Sequence, residues 1–337
     1  MNRFFLTLGM AACVAGLPAL TASGQTIKIG TVAPEGSPWY DGLAEINQAW
    51  SELSGGKVKL RIYGGGVAGD EPDMIRKMRI GQLQGAALTS MGLMSILPDI
   101  EAISFPMNLR NNQELDRVIQ TLGPRFEQQL EAKGFKAILW TSAGWVRIFS
   151  KQPVVTPADL QERKLFFWGQ DAAYIELLKQ SGFQPIPLPV TDLLPSLQTG
   201  LIDTFAAPPA VALSFQWFGL APHMTDLRLE PVPGMIVIST KVWNRIPQDL
   251  QPHLIEVAQA VGKRLMQKSI TLEQDAIRAM QDRGLEVHPV PEPVQKEWQN
   301  LIQEKGHPVF VGPRFSEGIQ EQIQAVVQPL RASAADE

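Results

Sequence analysis

The chain has 337 residues, with 30 Lys and Arg against 34 Asp and Glu and a formal net charge of −4. So mild an acidic balance, with both signs well mixed and no long like-charge run, removes the electrostatic case for nucleic-acid binding. The single cysteine, Cys13, lies in the N-terminal segment, so neither disulfides nor thiol chemistry are expected to carry structure or function beyond it.

Met1-Asn-Arg3 is a short basic start, Phe4 to Leu20 is mostly apolar, and Ala22-Ser-Gly24 offers small residues for cleavage before Gln25. That layout predicts a secretory signal peptide over residues 1–24. Met10-Ala-Ala-Cys13 has too few residues ahead of it to serve as a lipobox. No later stretch approaches the roughly 18 uncharged apolar residues of a membrane span, so the mature protein is expected to be soluble. About 313 residues remain, enough for two domains of ordinary size.

Strands alternate with helices along the chain, which predicts an α/β protein. Thr26 to Val32 is the first strand; Ser37-Pro38 opens a helix that runs to about Leu53 and stops at Ser54-Gly-Gly56. Lys57 to Tyr63 alternates as a second strand, Asp70 to Ile80 is helical and ends at Gly81, and Gly85 to Ser90 is a short buried strand. Ala137 to Ser142 and Lys164 to Phe167 are further strands.

Met78-Arg-Ile-Gly-Gln-Leu-Gln-Gly-Ala-Ala-Leu-Thr-Ser90 and Leu197-Gln-Thr-Gly-Leu-Ile-Asp-Thr-Phe-Ala-Ala-Pro-Pro209 share one pattern. In each, a helix ends at a glycine able to adopt the left-handed cap, and a small-residue strand follows at once. Two such units predict two α/β domains of similar build. Open α/β sheets bind ligands beyond the carboxyl ends of their strands. Facing domains would then put Ser90 and Met91 on one wall of a cleft and Phe205 to Pro209, including Ala207 and Pro208, on the other.

Leu250, Leu254, Val257, Val261, Leu265, Leu272, Ala276 and Met280 recur at helical spacing, predicting one helix from about Pro247 to Arg283 that Gly284 ends. At 1.5 Å per residue it would be roughly 50 Å long, enough to bridge two domains. Pro289 to Pro293 is expected to be a stiff connector before two C-terminal helices, with residues 332–337 a frayed tail.

Gly64-Gly-Gly-Val-Ala-Gly69 satisfies a dinucleotide-binding spacing between a strand and a helix. Asp70 and Glu71 at the helix start oppose a pyrophosphate there, and the acid expected about 20 residues on is missing. His223, His253, His288 and His307 each adjoin a proline, none pairs with another at metal-ligand spacing, and no nucleophile elbow is present. No catalytic residue, metal or cofactor is therefore expected, and the chain reads as a non-enzyme. Tryptophans are more informative. Trp39, Trp145, Trp168 and Trp217 fall at or near strand ends, where the cleft mouth should be.

Four segments carry a resemblance to a known family: Glu52-Leu-Ser-Gly-Gly-Lys-Val-Lys-Leu60, Phe105-Pro106, Thr156-Pro-Ala-Asp-Leu160 and, the most specific, Leu197-Gln-Thr-Gly-Leu-Ile-Asp203. Over nearly the whole mature chain the sequence resembles the DctP-type solute-binding proteins of TRAP transporters. The resemblance implies a two-domain periplasmic-binding-protein fold with a ligand cleft between the domains and a long helix spanning both. Domain I would comprise 25–143 with about 232–272, and domain II 144–231 with about 273–331. It also implies a periplasmic location and delivery of a small molecule to a small and a large permease subunit, with an accessory periplasmic protein as a further possible partner.

The family segment Pro-x-Asp-Leu-x-Gly-Leu-Lys-Ile-Arg-Val-Pro, laid on Lys164 and Leu165, puts Phe166 where the family's carboxylate-holding arginine stands. The polar run that the family commonly has after Leu197–Asp203 is here Thr204-Phe-Ala-Ala-Pro208. Arg147 lies near a second arginine of the family. A carboxylate taken into a closed cleft costs several kcal/mol unless it is paired, and phenylalanine cannot replace a bidentate arginine. Burying about 300 Å² of apolar ligand surface supplies roughly 7 kcal/mol, close to the ~8 kcal/mol of a micromolar complex before association costs are subtracted. The expected ligand is therefore hydrophobic or amphipathic. The alternatives are an organic-acid binder using Arg147 and a secreted α/β enzyme whose residues converge only in three dimensions.

Overall fold

The structure, a computed structural model, describes residues 24–169 and 171–333. The signal-peptide segment, apart from Gly24, lies outside the described residues, as do residues 334–337 of the expected tail; Ala332 and Ser333 instead close a helix.

Eleven strands are described: β1 (Gln25–Thr31), β2 (Val58–Tyr63), β3 (Gly85–Thr89), β4 (Phe135–Trp145), β5 (Arg147–Ser150), β6 (Lys164–Trp168), β7 (Gln184–Leu188), β8 (Thr204–Ala207), β9 (His223–Asp226), β10 (Pro231–Ser239) and β11 (Glu286–Pro289). They form two sheets, in the orders β2-β1-β3-β10-β4 and β11-β9-β5-β8-β6-β7. With the helices packed against them they make a two-domain α/β fold. β1 lies parallel to β2 and β3, and β10 closes against β3 in the antiparallel sense. The second sheet repeats this arrangement, with β6 parallel to β7 and β8 and β5 antiparallel to β8.

The helix–Gly–strand echo is present in both halves. Gly81 and Gly200 take φ of 77° and 74°, and β3 and β8 follow them. Each strand then runs straight into a short helix, Ser90–Met94 or Pro209–Ser214. Local chemistry accounts for the motif residues. Thr156 and Asp159 make a reciprocal capping box at the helix Pro157–Gln161. Asp203 accepts from the Lys164 backbone N–H (2.8 Å), fixing the start of β6 beside β8.

The chain passes between the sheets at Val146, and returns between Asp226 and Pro231. At that crossing Val146 N–H donates to Glu230 O (2.8 Å) and Leu229 N–H to Val146 O (3.2 Å), so the two connections form a narrow antiparallel ribbon. The long helix is Gln251–Gln281, 31 residues or about 46 Å. Leu254, Ala258 and Val261 pack with the core under the first sheet, and Ala276 and Met280 with the core of the second. It starts four residues later than the periodicity predicts, because 247–250 form a turn ahead of Pro252 in its first turn.

The C-terminal region departs from the expectations. Pro289 ends β11 and Pro293 lies in the first turn of the helix Glu292–Leu301, so only a short link separates them. The last helix, Glu317–Ser333, leaves the second sheet. Ile319, Ile323 and Val327 join the core containing Phe126, Met235 and Val237, and Arg331 pairs with Glu114 (2.8 Å). Within the 273–331 segment expected in domain II, this last helix therefore lies with the first sheet, its apolar stripe packed with that of the helix Asn112–Ala132. No helix among the described residues is long and apolar enough to cross a membrane.

Candidate functional site

A cavity of about 870 Å³ is lined from both sheets. Thr31 and Ser90-Met91 contribute from the carboxyl ends of β1 and β3; Phe166 and Trp168 of β6, Ala206-Ala207-Pro208 at the end of β8, and Trp217 face them. Trp39 joins the wall and donates its indole N–H to Ser142 O (3.1 Å). Phe166, in the position expected for an arginine, is a buried part of the lining.

Three expected residues are not on this wall. Trp145 does not follow its strand but ends it; it is buried in the first-sheet core, with its indole N–H donating to Asn112. Phe205 is not part of the lining; it is buried in the second-sheet core behind the wall. It stacks on Phe149 (5.1 Å, 4°) and supports the edge of Trp217 (5.5 Å, 77°) from behind. Arg147, expected near a ligand carboxylate, is buried and its Nη2 is bonded to Glu273 Oε1 of the long helix (2.7 Å), with Asp226 at 3.5 Å. Burial lowers its pKa and Glu273 acts in the opposite direction. It ties β5 to the long helix.

The halves also meet through Asp70. Its Oδ1 caps the helix Glu71–Arg79 (2.8 Å to Glu71 N), while Oδ2 accepts from the Trp168 indole (2.9 Å) and from Val190 N–H (3.3 Å). Glu71 is fully buried and accepts from Thr89 N–H, from the Thr89 hydroxyl (2.9 Å) and from Gly92 N–H (2.8 Å). Burial pushes its carboxyl up to about 7, against those hydrogen bonds. This carboxylate already fills the start of the Ser90–Met94 helix. The preceding glycine run serves the bend: a Cβ on Gly64 would meet the Tyr40 ring at 2.6 Å.

The polar end of the cavity is built from residues whose sequence gave no signal. Arg314 grips Glu101 through Nε (2.9 Å) and Nη2 (2.6 Å), pairs with Asp171, and lies over the rings of Tyr174 (5.4 Å) and Phe310 (5.1 Å). Glu101 and Arg314 are 213 positions apart, which no motif or periodicity spans. Glu230 is half-buried and lines the cavity; burial, with Glu101 as a nearby like charge, pushes its carboxyl up to about 8. Burial raises Tyr174 likewise. In all, four acids (Glu71, Glu101, Asp171 and Glu230) and two bases (Lys305 and Arg314) line the cavity. No histidine or cysteine is among the described lining residues.

Away from the cavity, two histidines that no metal-ligand spacing links in the sequence come together in the fold. His223 and His288, far apart in sequence, lie 3.0 Å apart through their ring nitrogens because β9 and β11 are neighbours.

Residues 29–310 match the family described as bacterial extracellular solute-binding protein, family 7 (DctP). The 2,3-diketo-L-gulonate-binding periplasmic protein of Escherichia coli is 24% identical over 282 residues, covering 82% of this chain and 86% of its own. The sialic acid-binding periplasmic protein of Vibrio cholerae is 24% identical over 307 residues, covering 89% and 92%. Among solved structures, a TRAP periplasmic solute binding protein from Sulfurospirillum deleyianum with bound succinate superimposes with a TM-score of 0.82 at 19% identity, covering 90% of this chain and 99% of that one.

Proposed function

The chain belongs to the DctP family of TRAP solute-binding proteins, and from that premise we propose that it captures a hydrophobic or amphipathic small molecule in the periplasm and hands it to a TRAP permease. The protein does no chemistry on its cargo. Residues 25–143 with about 232–272 and the C-terminal helix form one moving part, and 144–231 with the rest of the 273–316 segment the other. Cargo closes them by shifting the open–closed equilibrium. The permease receives the cargo through its small and large membrane subunits.

The observation that carries the cargo class is the charge inventory of the cavity. The one arginine among its described lining residues, Arg314, is already paired with Glu101 and Asp171. Arg147 is committed to Glu273. A carboxylate entering this space would meet no free arginine, with Lys305 as the one other cation among the described lining residues and Glu101 and Asp171 as like charges; left unpaired, it would cost several kcal/mol. The carboxylate ligands named for the relatives favour the organic-acid alternative; the chemistry of this cavity opposes it. A volume of about 870 Å³, in the upper part of the usual range of roughly 300–1,000 Å³ for small-molecule sites, suits a body larger than a C4 dicarboxylate. Phe166, Trp168 and Trp217 would pack that body. Tyr174 and a protonated Glu230 would face a neutral hydrogen-bonding head group.

The test is to extract the purified protein with organic solvent, identify the co-purified molecules by mass spectrometry, and titrate the stripped protein with succinate and glucuronate while following tryptophan fluorescence. An apolar or amphipathic molecule should be recovered, and neither acid should bind with a dissociation constant below about 1 mM, some 4 kcal/mol of affinity. Recovery of a small organic acid, with binding unchanged in Phe166→Ala, would sink this reading.

A further inference from the structure

We propose that His223, Glu286 and His288 form a divalent transition-metal site of the zinc class at the outer edge of the second sheet. β9 and β11 pair in parallel with Glu286 opposite His223 and His288 opposite Thr225. Side chains directly opposite share a sheet face, and so do residues two apart on one strand. The register therefore brings all three side chains to one face. Their donor atoms lie within 4.8 Å of one another. His223 Nδ1 is 3.0 Å from His288 Nε2 and 3.5 Å from Glu286 Oε2. In a tetrahedral zinc centre with bonds of about 2.0–2.1 Å, neighbouring donors stand about 3.3 Å apart. Both distances from His223 match that spacing, so a metal would replace the hydrogen bond between the two rings with only a small shift of the side chains.

Two imidazoles and one carboxylate suit zinc, nickel or copper(II), and are a poor set for the harder magnesium and calcium ions. The His223 side chain is only 15% exposed whereas that of Glu286 is 67% exposed. The site is thus open to solvent on the carboxylate side, leaving a fourth position for water. A bound ion would clamp β11, the strand reached directly from the long helix, onto β9. None of the three residues lines the ligand cavity, so the site is independent of the cargo.

The test uses tag-free protein stripped with a chelator and titrated with zinc chloride by calorimetry, with magnesium chloride as a control. One zinc per chain is expected, with a dissociation constant of about 1 μM or tighter, a raised melting temperature, and no response to magnesium. His223→Ala and His288→Ala should each weaken zinc binding by about tenfold or more. The conservative His288→Asn provides the same reading if alanine disturbs the strand, with the circular dichroism spectrum checking the fold. Absence of zinc binding, or an affinity unchanged in the variant lacking both histidines, would overturn the proposal.

Discussion

At the scale of single residues, Glu230 makes the protein's stability depend on pH in an unusual direction for a carboxyl. Its pKa is raised from 4.5 to about 8 in the fold. Between those values the native state holds a proton that the unfolded chain has released. Stability from this group is therefore fully present below the ordinary carboxylate range and is lost as pH rises through about 8. Glu71, raised to about 7, acts in the same sense. Calorimetric melting from about pH 5 to pH 8.5 should show wild type losing stability with a steeper slope than Glu230→Gln, which has no proton to lose. Parallel slopes would count against a neutral Glu230. Little of this polar end is legible in the sequence. Phe166 is different, because its place on a short strand beside a recognisable capping box makes it visible as an exchange. Glu101, Glu230 and Arg314 belong to three separate segments and share only a location.

Among the elements, the long helix was the easiest to read and carries a test of how closely it is packed. Its apolar stripe repeats at helical spacing over enough turns to survive local irregularities. What periodicity could not convey is how near the helix comes to β4. A Cβ on Gly262 would lie 2.5 Å from the carbonyl oxygen of Trp140 and 3.1 Å from Leu139 Cδ1. In an exposed helix, replacing glycine by alanine stabilises by roughly 1 kcal/mol. Here Gly262→Ala should instead destabilise by about 1–3 kcal/mol, the usual range for overpacking. Urea denaturation measures it; a gain in stability would show that the helix can move off β4. The C-terminal helix was harder to place. An amphipathic stripe says that a face is buried, but not which of two cores receives it.

For the whole molecule, the repeated helix–Gly–strand unit made two similar halves legible, because each copy is local. The return of β10 to the first sheet is non-local and carries no local signal; only the family resemblance, which assigns about 232–272 to domain I, implies it. Asp70 then joins the halves across the cleft by accepting from Trp168 and Val190. A hydrogen bond to a charged acceptor contributes about 1.5–3 kcal/mol, enough to move an open–closed equilibrium roughly ten- to hundred-fold. Trp168→Phe keeps the ring against the cargo and removes this bond. Its radius of gyration in solution scattering should exceed that of wild type under the same conditions; equal radii would show that Asp70 does not hold the halves together.

The narrow ribbon at the crossing has a consequence for how such a receptor lets go. Glu230 supplies the carbonyl that Val146 N–H holds, and the same residue presents its carboxyl to the cavity. If the proposed closure pivots at this ribbon, pivot and grip are one residue. In the proposed reading, any bend at the ribbon reorients a cargo contact, and any strain placed on that contact is felt as torque at the pivot. A permease that pries the halves apart would therefore loosen the cargo's head group in the same motion, with no separate release device.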